Sequence, residues 1–311
     1  MSRIFATDLA GLRTQALGLA EAAGLEPDLY TLVPRPPWDR LSPAFWAWPR
    51  LAVGEAPFRG PLPPLVMGVG GAGARVAAAL RGPDVRAVAI QHPRMALAKF
   101  DLVFAARHDG ISGPNVVITR TALHGVTPAR LAAAKAVWMP RFAGQARPLV
   151  AVLLGGANGR YRFGVAEAKA LAASLAEMMR RDHVGLVITP SRRTAPEVVT
   201  ILRHALGGLG AWIWDGAGDN PYFGMLACAD AIIVTADSVS MVSEAVATNV
   251  PVYLVRLPGR SARIGAFMQA LVNDGRVRDF AGRLALWDTS PVNDTAMAAA
   301  MLRRRMGLEN A

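Results

Sequence analysis

An α/β fold of two Rossmann-like domains is predicted by three features of this sequence. Short apolar runs recur along the whole chain, Ala- and Leu-rich segments of helical period separate them, and several runs end directly in glycine or small hydroxyl residues at a helix start. Runs of that kind, with no polar residue at alternate positions, suit strands buried on both faces, as in a parallel sheet covered by helices.

In the first half, strands are expected at Ile4–Thr7, Leu65–Val69, Ala87–Gln91, Leu102–Ala105 and Val116–Thr119, with helices at Thr14–Ala23, Arg75–Leu80 and Pro128–Ala136. After the first helix, "PRPPWDRLSPAFWAWPRLAVGEAPFRGPLPP" (34–64) is too rich in proline for a long regular element, because each proline fixes φ and removes a backbone donor. It reads as an irregular insertion. Its Trp38, Trp46 and Trp48 either pack onto their own domain or form, with Arg35, Arg40 and Arg50, a patch suited to a membrane surface. In the second half, strands are expected at Leu149–Leu154, Gly185–Thr189, Ala211–Trp214, Ala231–Val234 and Val252–Val255. The helices between them are Val165–Arg181, Ala195–Leu206, Pro221–Ala227, Ser240–Thr248 and Arg263–Asn273. The boundary is placed in "RFAGQAR", Arg141–Arg147, giving an N-terminal domain of residues 1–145 and a C-terminal domain of residues 146–311.

Composition narrows the function classes. A chain of 311 residues accommodates two ordinary domains, and its 52% hydrophobic content excludes a disordered protein. The single cysteine, Cys228, rules out an internal disulfide and fits a reducing, cytoplasmic setting. Asp8 interrupts the apolar N-terminus, and no uncharged apolar run reaches the roughly 18 residues of a membrane span. Neither a cleaved signal nor a spanning helix is expected. The formal net charge is +11, most of it in residues 1–147, where 17 Lys+Arg against 9 Asp+Glu leave +8; the remainder, 17 against 14, leaves +3. A field of that sign attracts a phosphorylated substrate, a lipid-linked phosphate or an anionic membrane surface. No nucleic-acid partner is expected, and the sequence leaves the oligomeric state open.

Two glycine runs and one hydroxyl cluster carry the chemistry. Gly68-Val-Gly70-Gly71-Ala-Gly73 fits G-x-G-x-x-G between a strand and a helix, the spelling of a dinucleotide-binding turn. The acid that should end the next strand and hold ribose hydroxyls is missing, since that strand runs into Gln91-His92-Pro93-Arg94. An NAD-dependent enzyme is therefore disfavoured; the glycines either make a tight turn or, through Gly70 and Gly71, face a ligand anion. In the second half, Gly155-Gly156 ends a strand, with Asn158 and Arg160 close behind, and the next strand ends in Ser191-Arg192-Arg193-Thr194. Backbone donors with adjacent guanidinium groups make a plausible diphosphate site, although Thr194 also reads as a helix cap with the arginines solvated. The strand Ala231–Val234 runs into Thr235-Ala236-Asp237-Ser238-Val239-Ser240, and the helix that follows bears Ser243 and Glu244. Small hydroxyl residues at a helix start leave room for a phosphate, and a carboxylate one turn on suits two ribose hydroxyls. An ordinary capped helix shows the same letters.

Five stretches, "TDLAGLRTQALGLAEA", "FDLVFAARHDGISGPNVVITRTALHGVTP", "SRRTAPE", "DGAGDNPYFGMLACADAIIVTADSVSMVSEA" and "PVYLVRLPG", together resemble the "elongated mitochondria" fission family of plants and its alphaproteobacterial relatives. That family is itself similar to GT-B glycosyltransferases, notably the enzyme that adds N-acetylglucosamine to the peptidoglycan lipid precursor. The resemblance implies two domains facing a cleft, with a nucleotide-sugar donor held mainly by the second domain and no resident cofactor. It makes Gly155-Gly156 the phosphate turn, Ser191-Arg192 part of the nucleotide pocket, Thr235 to Ser240 the diphosphate-facing turn and Glu244 the ribose ligand. Asp215 and Asn220 would rim the base, and the last helix, near Thr295–Met306, would return to the first domain.

An inverting transferase of this type needs a general base from the first domain. The expected histidine turn reads Thr7-Asp8-Leu9-Ala10-Gly11-Leu12-Arg13, leaving Asp8, His92, His108 and Asp109 as candidates, each also explicable as a cap or loop residue. With no D-x-D in the chain, no metal site is expected; arginines and helix N-termini would meet the diphosphate charge. The resemblance thus implies a sugar-nucleotide-binding protein, a glycosyltransferase acting on a membrane or cell-envelope acceptor. The plant branch implies instead a non-catalytic adaptor of the kind that recruits a dynamin-like fission protein.

Overall fold

The computed structural model describes residues 1–308 and divides into two compact units, 1–125 with 293–308 and 126–292. The division falls at 125/126, not in the 141–147 segment, because helix α4 (Pro128–Trp138) packs on α7 (Tyr222–Cys228) of the second unit. Aromatic packing carries this attachment: the Trp138 ring lies 5.5 Å from that of Phe142, tilted to it, and meets Trp212 edge-on at 6.2 Å, and Gly224 leaves the room into which its indole fits.

The first unit is a six-stranded, all-parallel sheet in the order β2-β1-β3-β4-β5-β6, with β1 Ser2–Thr7, β2 Pro27–Leu32, β3 Leu65–Val69, β4 Arg86–Ile90, β5 Leu102–Ala106 and β6 Val116–Thr119. Helices α1 (Ala10–Ala22), α2 (Pro49–Val53), α3 (Gly70–Leu80) and α10 (Thr295–Met306) belong to this unit. Adjacent residues of β1 serve opposite faces: Ile4 packs with Leu19 of α1 and Leu302 of α10, and Phe5 with Ala74 and Val76 of α3. Strand β2 was not expected. It is an edge strand that starts on proline and is only partly buried, so it lacks the continuous apolar run of the central strands. The 34–64 insertion holds only short 3₁₀ turns and the five-residue α2. Of its three tryptophans, Trp46 is buried in the core while Trp48 is 65% exposed.

Two glycines of the fingerprint, Gly68 and Gly73, serve packing. Helix α3 starts at Gly70 and not at Arg75, so Gly70, Gly71 and Gly73 lie in its first turn and Gly68 in β3. A Cβ on Gly68 would stand 2.3 Å from the Gly73 carbonyl oxygen, and one on Gly73 would stand 2.2 Å from that of Phe5. Their absence lets α3 press onto β1 and β3.

The second unit repeats the plan in the order β12-β11-β10-β7-β8-β9, again all parallel, with β7 Leu149–Leu154, β8 Gly185–Pro190, β9 Trp212–Ile213, β10 Ala231–Thr235, β11 Val252–Val255 and β12 Val277–Asp279. Strand β12 was also unexpected, being three residues long, two of them charged and exposed. Helices α5 (Val165–Asp182) and α6 (Pro196–Leu206) cover one face. The opposite face carries α4, α7, α8 (Val239–Val246) and α9 (Ala262–Asn273). Among the described residues, no helix is long and apolar enough to cross a membrane.

Because the Phe5 carbonyl is fixed by its strand, Gly73→Ala cannot be absorbed by a side-chain rotation. It should cost about 1–3 kcal/mol in equilibrium denaturation. Gly82→Ala, where a Cβ meets nothing within 4 Å, should change stability by less than about 0.5 kcal/mol.

Candidate functional site

Strand order positions the site. In the second sheet β7 lies between β10 and β8, and the helices after β7 and β10 leave toward opposite faces, α5 to one and α8 to the other. The carboxyl ends of β7 and β10 therefore flank a reversal of strand order, the place where open parallel sheets leave a crevice. Three sequence segments far apart in the chain converge there: Gly155–Asn158 after β7, Ser191–Thr194 after β8 and Ala236–Ser240 after β10.

Within this crevice the expected residues divide sharply in role. Thr235 and Asp237 are buried and face the glycine loop: Gly155 N–H donates to Thr235 Oγ1 at 2.7 Å and Gly156 N–H to Asp237 Oδ2 at 3.1 Å. The two amides expected to hold a phosphate are thus occupied by the chain's own side chains. Arg193 Nη2 also donates to Asp237 Oδ2, at 2.9 Å, and Asn158 Nδ2 donates to the Asp237 carbonyl at 3.1 Å. Asn158 Oδ1 in turn accepts the N–H groups of Arg160 and Tyr161, shaping the loop after Gly156. Thr194 Oγ1 donates to the Gly155 carbonyl at 2.5 Å, and Ser191 Oγ accepts the Arg193 N–H at 3.2 Å. Arg192 stays exposed at the rim.

Helix α8 begins on this edge, with Ser238 as its N-cap accepting the Met241 N–H, and Ser240 half-buried in its first turn. Ser243 does not face a ligand. Its side chain is fully buried and its hydroxyl donates back to the Val239 carbonyl at 2.8 Å, a common use of serine inside a helix. Glu244 is also buried, at 6% exposure, and its Oε2 accepts a hydrogen bond from the Tyr222 hydroxyl. Burial pushes the Glu244 carboxyl up to about 7, against the smaller opposing pull of the Tyr222 hydrogen bond and the Arg130 charge. Tyr222 is the partner that the sequence did not disclose: it sits on α7, 22 residues away, and no local pattern marks it. Asp215 and Asn220 lie on the exposed loop before α7 and act as turn residues, accepting the Ala217 and Tyr222 N–H groups.

The first sheet reverses its order between β1 and β3, and the four candidate bases, with Gly70 and Gly71, follow strands of that sheet on its carboxyl edge. Gly70, at φ +66°, abuts Leu12, and Gly71 abuts Pro43. Asp8, after β1, accepts from Arg13 at 2.9 Å; His92, after β4, accepts the Arg94 N–H on Nδ1 at 2.9 Å. Asp109 accepts the Ala106 N–H at 3.2 Å in the turn it shares with His108 after β5. Each of these three carboxylate or imidazole groups thus has a structural use. Gln91, at φ +73°, takes the place after β4 where a ribose-binding acid would stand, and it pairs with buried Gln15. Among the described residues, no group of three or more His, Cys, Asp or Glu side chains is placed to hold a metal ion.

The Glu244 site has a pH signature. Its carboxyl pKa rises from 4.5 to about 7 on folding, so the native state holds a proton that the unfolded chain releases. The contribution of this one group is then fully present below about pH 4.5 and is lost as pH rises through 7, by up to about 3 kcal/mol in total. Glu244→Gln, which stays neutral and can still accept from Tyr222, should remove this slope and exceed the parent above pH 7 in urea denaturation.

The chain is 35% identical to the Mitochondrial fission protein ELM1 of Arabidopsis thaliana over 254 residues, 73% of this chain and 59% of the plant protein. It is 30% identical to an uncharacterized protein of Rickettsia prowazekii (strain Madrid E) over 165 residues, 50% of this chain and 46% of that protein. The chain thus spans less than two thirds of either relative. Among solved structures, it is similar to the Methanocaldococcus jannaschii UDP-GlcNAc 2-epimerase, solved with UDP-GlcNAc and UDP (TM-score 0.58, 12% identity, covering 97% of this chain and 98% of that one). It is likewise similar to Os79 of O. sativa, solved with UDP (TM-score 0.54, 13% identity, 99% and 91% covered). The glycosyltransferase SnogD of Streptomyces nogalater matches at TM-score 0.52 and 16% identity, with 98% and 94% covered. At such identities the likeness is one of fold, the GT-B type with two parallel six-stranded sheets. The sequence model described as Mitochondrial fission ELM1 matches residues 10–306, and the chain belongs to that family.

Proposed function

We propose that this protein binds a sugar nucleotide on the carboxyl edge of its second sheet. The observation that carries the reading is the reversal of strand order between β7 and β10, which brings the loops bearing Asn158, Ser191 and Arg192 to the same sheet edge as Ser238 and Ser240 at the start of α8. Ligands of open parallel sheets lodge at such a point, and a helix N-terminus there favours an anionic group. The UDP ligands of the epimerase and of Os79 support the choice of nucleotide. In this reading the sugar nucleotide is a substrate or bound signal rather than a resident cofactor, and a glycosyltransferase would pass its sugar to a membrane or cell-envelope acceptor.

A second reading, the non-catalytic adaptor, is favoured by two observations. The glycine-loop amides are already taken by Thr235 and Asp237, and Asp8, His92 and Asp109 are each engaged in structural contacts. The readings part on turnover: a transferase releases the nucleoside diphosphate when incubated with donor and membrane extract, whereas an adaptor binds without release.

We propose further that the 34–64 insertion meets an anionic membrane surface. Phe45, Trp48 and Leu51 are 74%, 65% and 60% exposed, while Trp46 beside them is buried and anchors the segment. Arg75 holds the Ala44 carbonyl, and the Arg35 N–H donates to that of Ala52 at 2.8 Å. Arg35, Arg40, Arg50 and Arg59 outnumber Asp39 and Glu55 in residues 34–64, so the exposed rings are flanked by net positive charge, as at an anionic interface.

Two measurements test these statements. In a thermal-shift series with UDP-, GDP-, ADP- and CMP-sugars, one nucleotide class should raise the melting temperature, a ligand at 100 times its Kd contributing about 2.7 kcal/mol. Arg192→Ala should diminish that rise, and no rise with any of the four would end the reading. In sedimentation with vesicles, the protein should bind phosphatidylcholine vesicles containing phosphatidylglycerol and be released by salt. The Phe45→Ser/Trp48→Ser variant should lose most of this binding; equal binding by the two proteins would remove the insertion as the contact.

A further inference from the structure

We propose that Asp237 is a built-in anion that competes with a ligand phosphate for the glycine loop after β7, and so determines which ligands that edge of the sheet accepts. The proposal rests on the reading of this edge as a nucleotide site. It reverses the expectation, drawn from sequence, that Asp237 faces the diphosphate as one of its contacts.

Four observations converge. The Gly156 amide and the Arg193 guanidinium both donate to Asp237 Oδ2, at 3.1 and 2.9 Å. One N–H and one guanidinium aimed at a common point are what a bound phosphate oxygen requires, and here a carboxylate fills the place. The absence of a side chain at Gly155 serves the same group: a Cβ there would stand 2.1 Å from Asp237 Oδ1 and 2.4 Å from Oδ2. The neighbouring glycine is used internally as well, since a Cβ on Gly156 would stand 2.0 Å from the Arg193 carbonyl oxygen. The glycine pair thus makes room for Asp237 and for the loop bearing Arg193, which accounts for both glycines without a ligand. Finally, the Asp237 side chain is wholly buried, yet among the described residues Oδ1 has no hydrogen-bond partner. A buried carboxylate oxygen left unsatisfied opposes folding, so stability alone does not account for this charge.

A phosphate oxygen and this carboxylate cannot share one seat, because two negative charges a few ångströms apart in a water-poor site repel strongly. Removing the carboxylate should therefore strengthen anion binding, whereas removing a true ligand contact would weaken it. Asp237→Asn removes the charge and keeps the volume; Asp237→Ser removes both and leaves a hydroxyl able to accept from Gly156.

The test is calorimetric titration of the full chain with inorganic pyrophosphate and with the UDP-, GDP-, ADP- and CMP-sugars. Pyrophosphate should bind Asp237→Ser at least about tenfold more tightly than the parent, with Asp237→Asn between them. Equal or weaker binding by variants whose circular dichroism matches the parent overturns the proposal. Should Asp237→Ser not fold, the isosteric Asp237→Asn, which removes the charge and leaves Arg193 in place, must by itself bind pyrophosphate more tightly than the parent or the proposal fails. A gain for pyrophosphate with no sugar nucleotide bound by either protein upholds this proposal and ends the sugar-nucleotide reading. Sugar-nucleotide binding that weakens in Asp237→Ser does the reverse.

Discussion

The carboxylate of Asp237 is the constraint on which the second sheet's carboxyl edge depends. It joins the loop after β7 to the loop after β8 through the Gly156 amide and the Arg193 guanidinium, while its own carbonyl is held by Asn158. Thr235 and Thr194 tie the same loops from either side, through the Gly155 N–H and the Gly155 carbonyl. In a site with little water these bonds reinforce one another, so the three strand ends form one polar cluster and not three independent loops. Any ligand of this edge meets that cluster, and its charge is already partly balanced from within.

The two glycine runs show how the same letters serve different ends. In the first unit, Gly68 and Gly73 let a helix press against two strands, and the ribose-binding function that their spelling suggests has no acid to complete it. In the second, Gly155 and Gly156 admit a carboxylate and a backbone carbonyl. Both are cases of close approach, which any side chain would block, and neither by itself identifies a bound nucleotide.

Family and fold speak to different levels. Membership of the mitochondrial fission ELM1 family follows from a match over residues 10–306, with 35% identity to a plant member. The likeness to UDP-bound epimerase and Os79 structures, at 12% and 13% identity, is one of layers and strand order. Such scaffolds host unrelated chemistries, so this likeness speaks to the fold and not to the reaction.

What the sequence determined by itself was the α/β class, the central strands and the segments that meet at the strand ends. These are encoded locally: runs such as Leu149–Leu154 and Ala231–Thr235 are buried on both faces and need no partner to be recognised. The edge strands β2 and β12 escaped because half-exposed strands lose that signature. Tertiary structure alone decided which polar groups face one another. Gly155 and Thr235 are 80 residues apart, Gly156 and Asp237 81, and Tyr222 and Glu244 22, and each pair meets only because strand order and helix packing bring its elements together. Ser243 turning back into its helix and Asp237 turning into the glycine loop look alike in the sequence, as small polar residues beside a helix start. Their roles differ because one hydroxyl finds a carbonyl four residues behind it, whereas one carboxylate finds an amide and a guanidinium carried by other strands.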